Sequence, residues 1–161
     1  MVELQFRIYV SKHGNVFMSE IASLVGCALV DLGYRVELLD SGLPALEPDI
    51  VNLVVAPHEY FLFLRSYSQD DRLEASRNCL PITTEQPSTS WFEESVKYSR
   101  ESRCIFDINA SSVTALAERG LQAYHLPLGY HPSWDERQVV GLQAPLREGG
   151  HRTRVYVKYA S

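Results

Sequence analysis

Five short stretches of this sequence set titratable or hydroxyl-binding side chains beside turn-forming residues: Ser11-Lys12-His13-Gly14-Asn15, Pro57-His58-Glu59-Tyr60, Thr84-Glu85-Gln86-Pro87, Asp107-Ile108-Asn109 and Pro127-Leu128-Gly129-Tyr130-His131. Gathered in one cleft, imidazoles and carboxylates of this kind move protons and bind hydroxyl groups. Each stretch also has a plainer use. Gly14 and Asn15 could let a sugar or phosphate approach a helix N-terminus, or simply form a loop and a cap, and the spacings GxGxxG and GxxxxGK[ST] are both absent. His58-Glu59 opens like a zinc-binding HExxH, but Leu62 stands where the second histidine belongs, so no metal site is expected. What remains is an acid/base pair, or a structural histidine beside a glutamate favoured by a helix dipole. Glu85 and Gln86 precede Pro87, where a carboxylate binds a hydroxyl or caps the next helix. Asp107 lies in apolar sequence and needs a partner, such as a backbone N–H of the following helix, which makes structural use its plainer role. Trp91 and Trp134 could stack on a sugar ring or pack at a core's rim.

Alternating elements would position these residues. Leu4 to Val10 reads as a strand, and from Phe17 the apolar residues Ile21, Leu24, Val25, Ala28, Leu29 and Leu32 follow helical spacing as far as Gly33. Arg35 to Leu39 is a second strand, and Ile50 to Ala56 is apolar enough to be covered on both faces, as in a parallel sheet. Glu59 to Arg65 reads as helical and Ser66 to Asn78 as a polar loop with a helical turn. Cys79 to Thr83 is a short strand interrupted by Pro81. Ser90 and Glu93 have capping-box spacing ahead of a helix through Phe92, Val96 and Ser99. Cys104 to Ile108 is a fifth strand, a helix capped at Asn109 or Ser111 runs to Gly120, and Ala123 to Leu126 is a sixth strand. Right-handed connections between such elements make a Rossmann-like α/β fold, a doubly wound and mainly parallel sheet with helices on both faces. Its ligands bind beyond the carboxyl ends of the strands, where all five stretches lie.

With 161 residues, 45% of them hydrophobic, the chain has the material for one core. We expect one domain over residues 1–136, then a linker and a lone strand over 137–161, the strand either an added sheet edge or the remnant of a second domain. No apolar run approaches the roughly 18 residues of a membrane span, and the first residues lack a secretory leader's pattern, so the chain reads as cytoplasmic. Cys27, Cys79 and Cys104 lie too far apart for a CxxC motif. The net charge of −5 divides into +4 from Arg137 onward and −9 before it. An acidic body repels phosphate backbones, so nucleic acid is not an expected partner. The basic end, with strand-like Arg154 to Tyr159, is expected to pair with its own sheet or with a second copy.

The order His13-Gly14-Asn15, Ala56-Pro57-His58-Glu59, Thr84-Glu85-Gln86-Pro87-Ser88 with Trp91, Asp107-Ile108-Asn109 and Leu126-Pro127-Leu128-Gly129-Tyr130 resembles the N-terminal half of bacterial glycosyltransferases of the two-domain GT-B fold. The resemblance spans about residues 5–135. It implies a domain that binds the sugar acceptor, while a separate domain or chain binds the nucleotide-sugar donor, so transfer by this chain alone is not expected. It implies catalytic roles for His58, Glu59 and Glu85, and substrate contacts from His13, Gly14, Asn15, Gln86, Asp107, Asn109, Gly129 and Tyr130. No cofactor and no metal follow from it. The alternative is a non-catalytic Rossmann-like binding or assembly module.

Overall fold

The structure is a computed structural model and describes residues 4–132. The expected linker and strand over 137–161, and Trp134, lie outside the described residues. The elements are β1 (Gln5–Tyr9), α1 (Val16–Asp31), β2 (Arg35–Leu39), β3 (Ile50–Val55), α2 (Pro57–Phe63), α3 (Gln69–Ser76), β4 (Leu80–Thr83), α4 (Ser90–Ser99), β5 (Ile105–Asp107), α5 (Ala110–Glu118) and β6 (Ala123–His125). The six strands form one sheet in the order β2-β1-β3-β4-β5-β6, and every neighbouring pair is parallel. This is the Rossmann-like α/β architecture. The chain leaves β1 toward β2 on one side and later returns to place β3 on the other, so the winding reverses between β1 and β3.

Strand alternation sorts the core onto two faces. Ile8, Leu53, Val55 and Ile82 pack with Met18, Ile21 and Ala22 of α1, joined by the half-buried Phe106, Ile108 and Leu126. The opposite face carries Tyr9 and Val54 against Tyr60 and Phe61 of α2, Ala75 of α3 and Tyr98 of α4; farther along, Ile105 meets Phe92, Val96 and Leu116. Among the described helices, α1 alone covers the first face.

Local chemistry fixes the element ends. Asn15 caps α1 by accepting the Phe17 N–H at 3.0 Å. The stretch expected to be a loop with a helical turn holds the full helix α3, because Ser68 and Asp71 form a reciprocal capping box that offsets its polar composition. For α4 the cap is Thr89 rather than Ser90: the Thr89 hydroxyl accepts the Phe92 N–H at 3.0 Å, and Glu93 pairs with Arg119 instead of reaching back. The helix α2 begins at Pro57, two residues earlier than expected, since proline is pre-set for a first helical turn. Pro81 sits inside the sheet without breaking it. The Ile82 carbonyl accepts from Ala56 on the β3 side and the Thr83 carbonyl from Ile108 on the β5 side, so Pro81, two before Thr83, faces β5. The ladder to β5 begins only at Ile82, and no strand bond needs the missing N–H.

Candidate functional site

The loops after β1 and β3 part where the winding reverses, which opens a crevice at the carboxyl edge of a doubly wound sheet. Ala56 makes the turn from β3 into α2 in the left-handed region, at φ 50° and ψ 66°. Its N–H bonds to the Ile82 carbonyl, and its own carbonyl accepts from the Glu59 and Tyr60 N–H groups at 2.9 and 3.0 Å. This tight turn delivers His58 and Glu59, adjacent in the first turn of α2, to the crevice.

Glu59 reaches across to the β1 loop. Its Oε2 accepts the Asn15 N–H at 2.9 Å and lies where a Cβ on residue 14 would sit, only 2.0 Å away, so the absence of a side chain on Gly14 permits the contact. His58 turns toward the β4 loop, with Nε2 3.3 Å from Oε1 of Glu85. The imidazole is 2% exposed, its ring centroid is 5.7 Å from that of Trp91, and Nδ1 is buried with no hydrogen-bond partner among the described residues. His13, on the exposed rim, lies 6.2 Å from the Phe63 ring, centroid to centroid.

Burial decides the protonation states. Loss of water pushes the His58 pKa down to about 4, against a small opposing pull from Glu94. Burial also raises the Glu85 carboxyl, Thr84 pulls it back, and the negative charge of Glu59 raises it further. The 3.3 Å contact has the spacing of an ion pair, but an imidazole with a pKa near 4 is neutral at pH 7. The arrangement is therefore a neutral ring with Nε2 close to a carboxylate, and burial makes that carboxylate, Glu85, more basic than an ordinary glutamate.

The β4 loop that carries Glu85 is held from below. Asn109 Nδ2 donates to the Thr84 carbonyl at 2.9 Å and the Ser112 hydroxyl to the Glu85 carbonyl at 2.8 Å. Asp107 is 0% exposed; one oxygen accepts from the Thr83 hydroxyl at 2.5 Å and the other from the Asn109 N–H at 2.7 Å. Burial raises its pKa to about 6 despite these bonds and the nearby His125.

The structure thus brings His13, Gly14, Asn15, His58, Glu59 and Glu85 to one crevice, with Gln86 exposed beside Glu85. Asp107 and Asn109, expected to touch substrate, instead brace the loop beneath it, because a carboxylate in the sheet is more stable with two donors than facing a ligand. Gly129 and Tyr130 are led away: His131 Nε2 meets Asp31, the last residue of α1, at 2.7 Å, and α1 ends at the opposite edge of the sheet. Sequence reasoning missed Thr83, Phe63 and Ser112. Thr83 is identified only through its register with Asp107, which the sequence does not carry, and Ser112 has no local signal either.

No family model, no curated protein and no solved structure matches this chain. No group of three or more His, Cys, Asp or Glu among the described residues could hold a metal ion, and no described helix is long and apolar enough to cross a membrane.

Proposed function

We propose that the chain is an acceptor-side domain for glycosyl transfer, with Glu85 as the base and His58 as the residue that positions it. The observation that carries this reading is the Glu85–His58 contact in the crevice: a carboxylate of raised basicity, partly open to solvent, 3.3 Å from a buried neutral imidazole. In the transfer step the acceptor oxygen forms a bond to the anomeric carbon of the donor sugar, and the bond from that carbon to the nucleotide diphosphate breaks with its electron pair. Glu85 takes the acceptor's hydroxyl proton. Half-exposed Trp91 offers the flat apolar surface on which a sugar ring stacks. Glu59 is committed to the Asn15 N–H and acts as a brace rather than a second base. A donor nucleotide would have to be held by another domain or chain, since the crevice itself presents carboxylates to it.

The test is binding, because the donor side is not expected within this chain. Saturation-transfer NMR with a panel of monosaccharides and disaccharides should give ring-proton signals that weaken in Trp91→Ala and in Glu85→Ala. If no sugar shows transfer, or if transfer is the same in both variants, the reading is wrong.

A further inference from the structure

In doubly wound sheets the N-terminus of the first helix at the winding reversal is where a ligand phosphate ordinarily docks, because free backbone N–H groups and the helix dipole favour an anion. Here the protein fills that position itself. The Glu59 carboxylate accepts the Asn15 N–H at 2.9 Å, at the start of a 16-residue helix, and Gly14 is bare so that it can. Glu85 lies 3.3 Å from the imidazole of His58, the residue before Glu59 on α2, so both carboxylates border the same crevice. Apart from His13 on the rim, the only basic side chain in the described loops after β1, β3, β4 and β5 is Lys12, which lies 3.7 Å from Asp40. The neutral His58 adds no positive charge. Beside the carboxylates stand exposed rings, Trp91 at 48% and Phe63 at 36% exposure, which can cover the apolar face of a small ring.

We propose that this crevice selects a ligand that joins an ammonium group to a ring, an amino sugar in the reading given above, with the ammonium between Glu59 and Glu85 and the ring on Trp91. This rests on the glycosyl-transfer reading only for the sugar, not for the ammonium. The carboxylates supply the charge-assisted acceptors that an ammonium needs, and the same charges reject phosphorylated ligands. Glu59 has a double part in this proposal: Oε2 stays on the Asn15 N–H, and the charge of the group serves the ammonium.

Calorimetric or NMR titration at pH 7 of the whole chain with glucosamine, N-acetylglucosamine, glucose, glucose 6-phosphate and phenethylamine tests this. Glucosamine should bind at least about tenfold more tightly than glucose or N-acetylglucosamine, the ratio for one charge-assisted hydrogen bond, and glucose 6-phosphate should bind weakest. In Glu59→Gln and Glu85→Gln that preference should shrink to about twofold. The Glu59→Gln amide oxygen still accepts the Asn15 N–H, so the fold is kept and only the charge is lost; an unchanged melting temperature checks this. Equal binding of glucosamine and glucose, or tight binding of glucose 6-phosphate, overturns the ammonium proposal and leaves a sugar site standing. Carboxylate-dependent binding of phenethylamine with no sugar binding upholds the ammonium and overturns the sugar. Failure of both amines to bind overturns the proposal.

Discussion

The carboxyl edge of the sheet holds two acidic regions that the fold treats in opposite ways. Between β4 and β5, Asp107 is wholly buried and both its oxygens accept hydrogen bonds from Thr83 and Asn109. Around the crevice where the winding reverses, Glu59 after β3 and Glu85 after β4 remain partly open, and buried His58 beside them has one nitrogen with no partner among the described residues. A carboxylate with all its bonds made internally is architecture. One left partly open beside a desolvated imidazole keeps a capacity for outside chemistry, and the two cases cannot be told apart by residue type.

The largest expected effect sets the two regions against each other through pH. The His58 pKa is depressed to about 4 from an ordinary 6.5, so the folded state binds fewer protons than the unfolded chain in that window, and His58 makes stability fall as pH drops from 6.5 to 4. Asp107 is raised to about 6 from 3.8, so the folded state binds more protons there, and it makes stability fall as pH rises from 3.8 to 6. Each shift corresponds to about 3 kcal/mol at about 1.4 kcal/mol per pKa unit, and the two oppose each other. Asp107→Asn removes one side of the balance. Its stability relative to the native chain should rise by about 3 kcal/mol between pH 4 and pH 7, measured by urea unfolding at each pH. A constant difference across that range would mean that Asp107 is not desolvated as its surroundings require.

Truncation should separate the regions at fixed pH. At pH 7, Asp107→Ala leaves the Asn109 N–H without its acceptor and opens a void beside Thr83, a loss of about 2 kcal/mol in urea unfolding. Glu85→Ala should move stability by no more than about 0.5 kcal/mol, since its side chain is partly solvated and makes no buried bond that holds the fold. If Glu85→Ala proves the more destabilising, the crevice carboxylate is the structural one and the assignment of roles inverts.

Much of the fold could be read from residue periods, and the reasons are local. Parallel strand β3 shows as IVNLVVA because both its faces are covered, and α1 shows because its apolar stripe recurs over four turns. The helix α3 was harder: it is short and polar, and only its Ser68–Asp71 capping box betrays it. The candidate residues were legible by their place after successive strands, but their roles were not. That Asp107 faces inward follows from its pairing with Thr83 across β4 and β5, and strand pairing is a long-range fact that no local pattern carries. Tyr130 was placed with the crevice because β6 ends there. The return of the chain to Asp31 of α1 is a tertiary contact with no trace in spacing.

A smaller effect probes the contact that closes the β1 side of the crevice. Gly14 does not have a positive φ, so alanine is acceptable to its backbone, and the obstacle is Glu59 alone. Gly14→Ala should force the Glu59 side chain off the Asn15 N–H and lower stability by about 1 kcal/mol, the worth of that charge-assisted bond partly offset by alanine's lower chain entropy. Paired with Glu59→Ala the penalty should vanish, a coupling of about 1 kcal/mol in a double-mutant cycle. Strict additivity would show that the carboxylate and the β1 loop do not hold each other.

The smallest effect concerns the turn that aims His58. Ala56 holds a left-handed conformation that costs an alanine about 1 kcal/mol, and the turn persists because three hydrogen bonds to its backbone fix it. Ala56→Gly removes the strain, but glycine loses about 0.5–1 kcal/mol more conformational entropy on folding, so the two nearly cancel and stability should stay within about 0.5 kcal/mol of the native value. With the turn no longer enforced by sterics, the imidazole is held by its neighbours alone. If Glu85 and Trp91 suffice, the His58 ring shifts and its low pKa, followed by NMR titration, are unchanged in Ala56→Gly. A pKa that climbs toward 6.5 while the melting temperature stays constant would show instead that the strained turn keeps His58 desolvated, and that the chemistry of the crevice depends on a conformation the overall fold does not need.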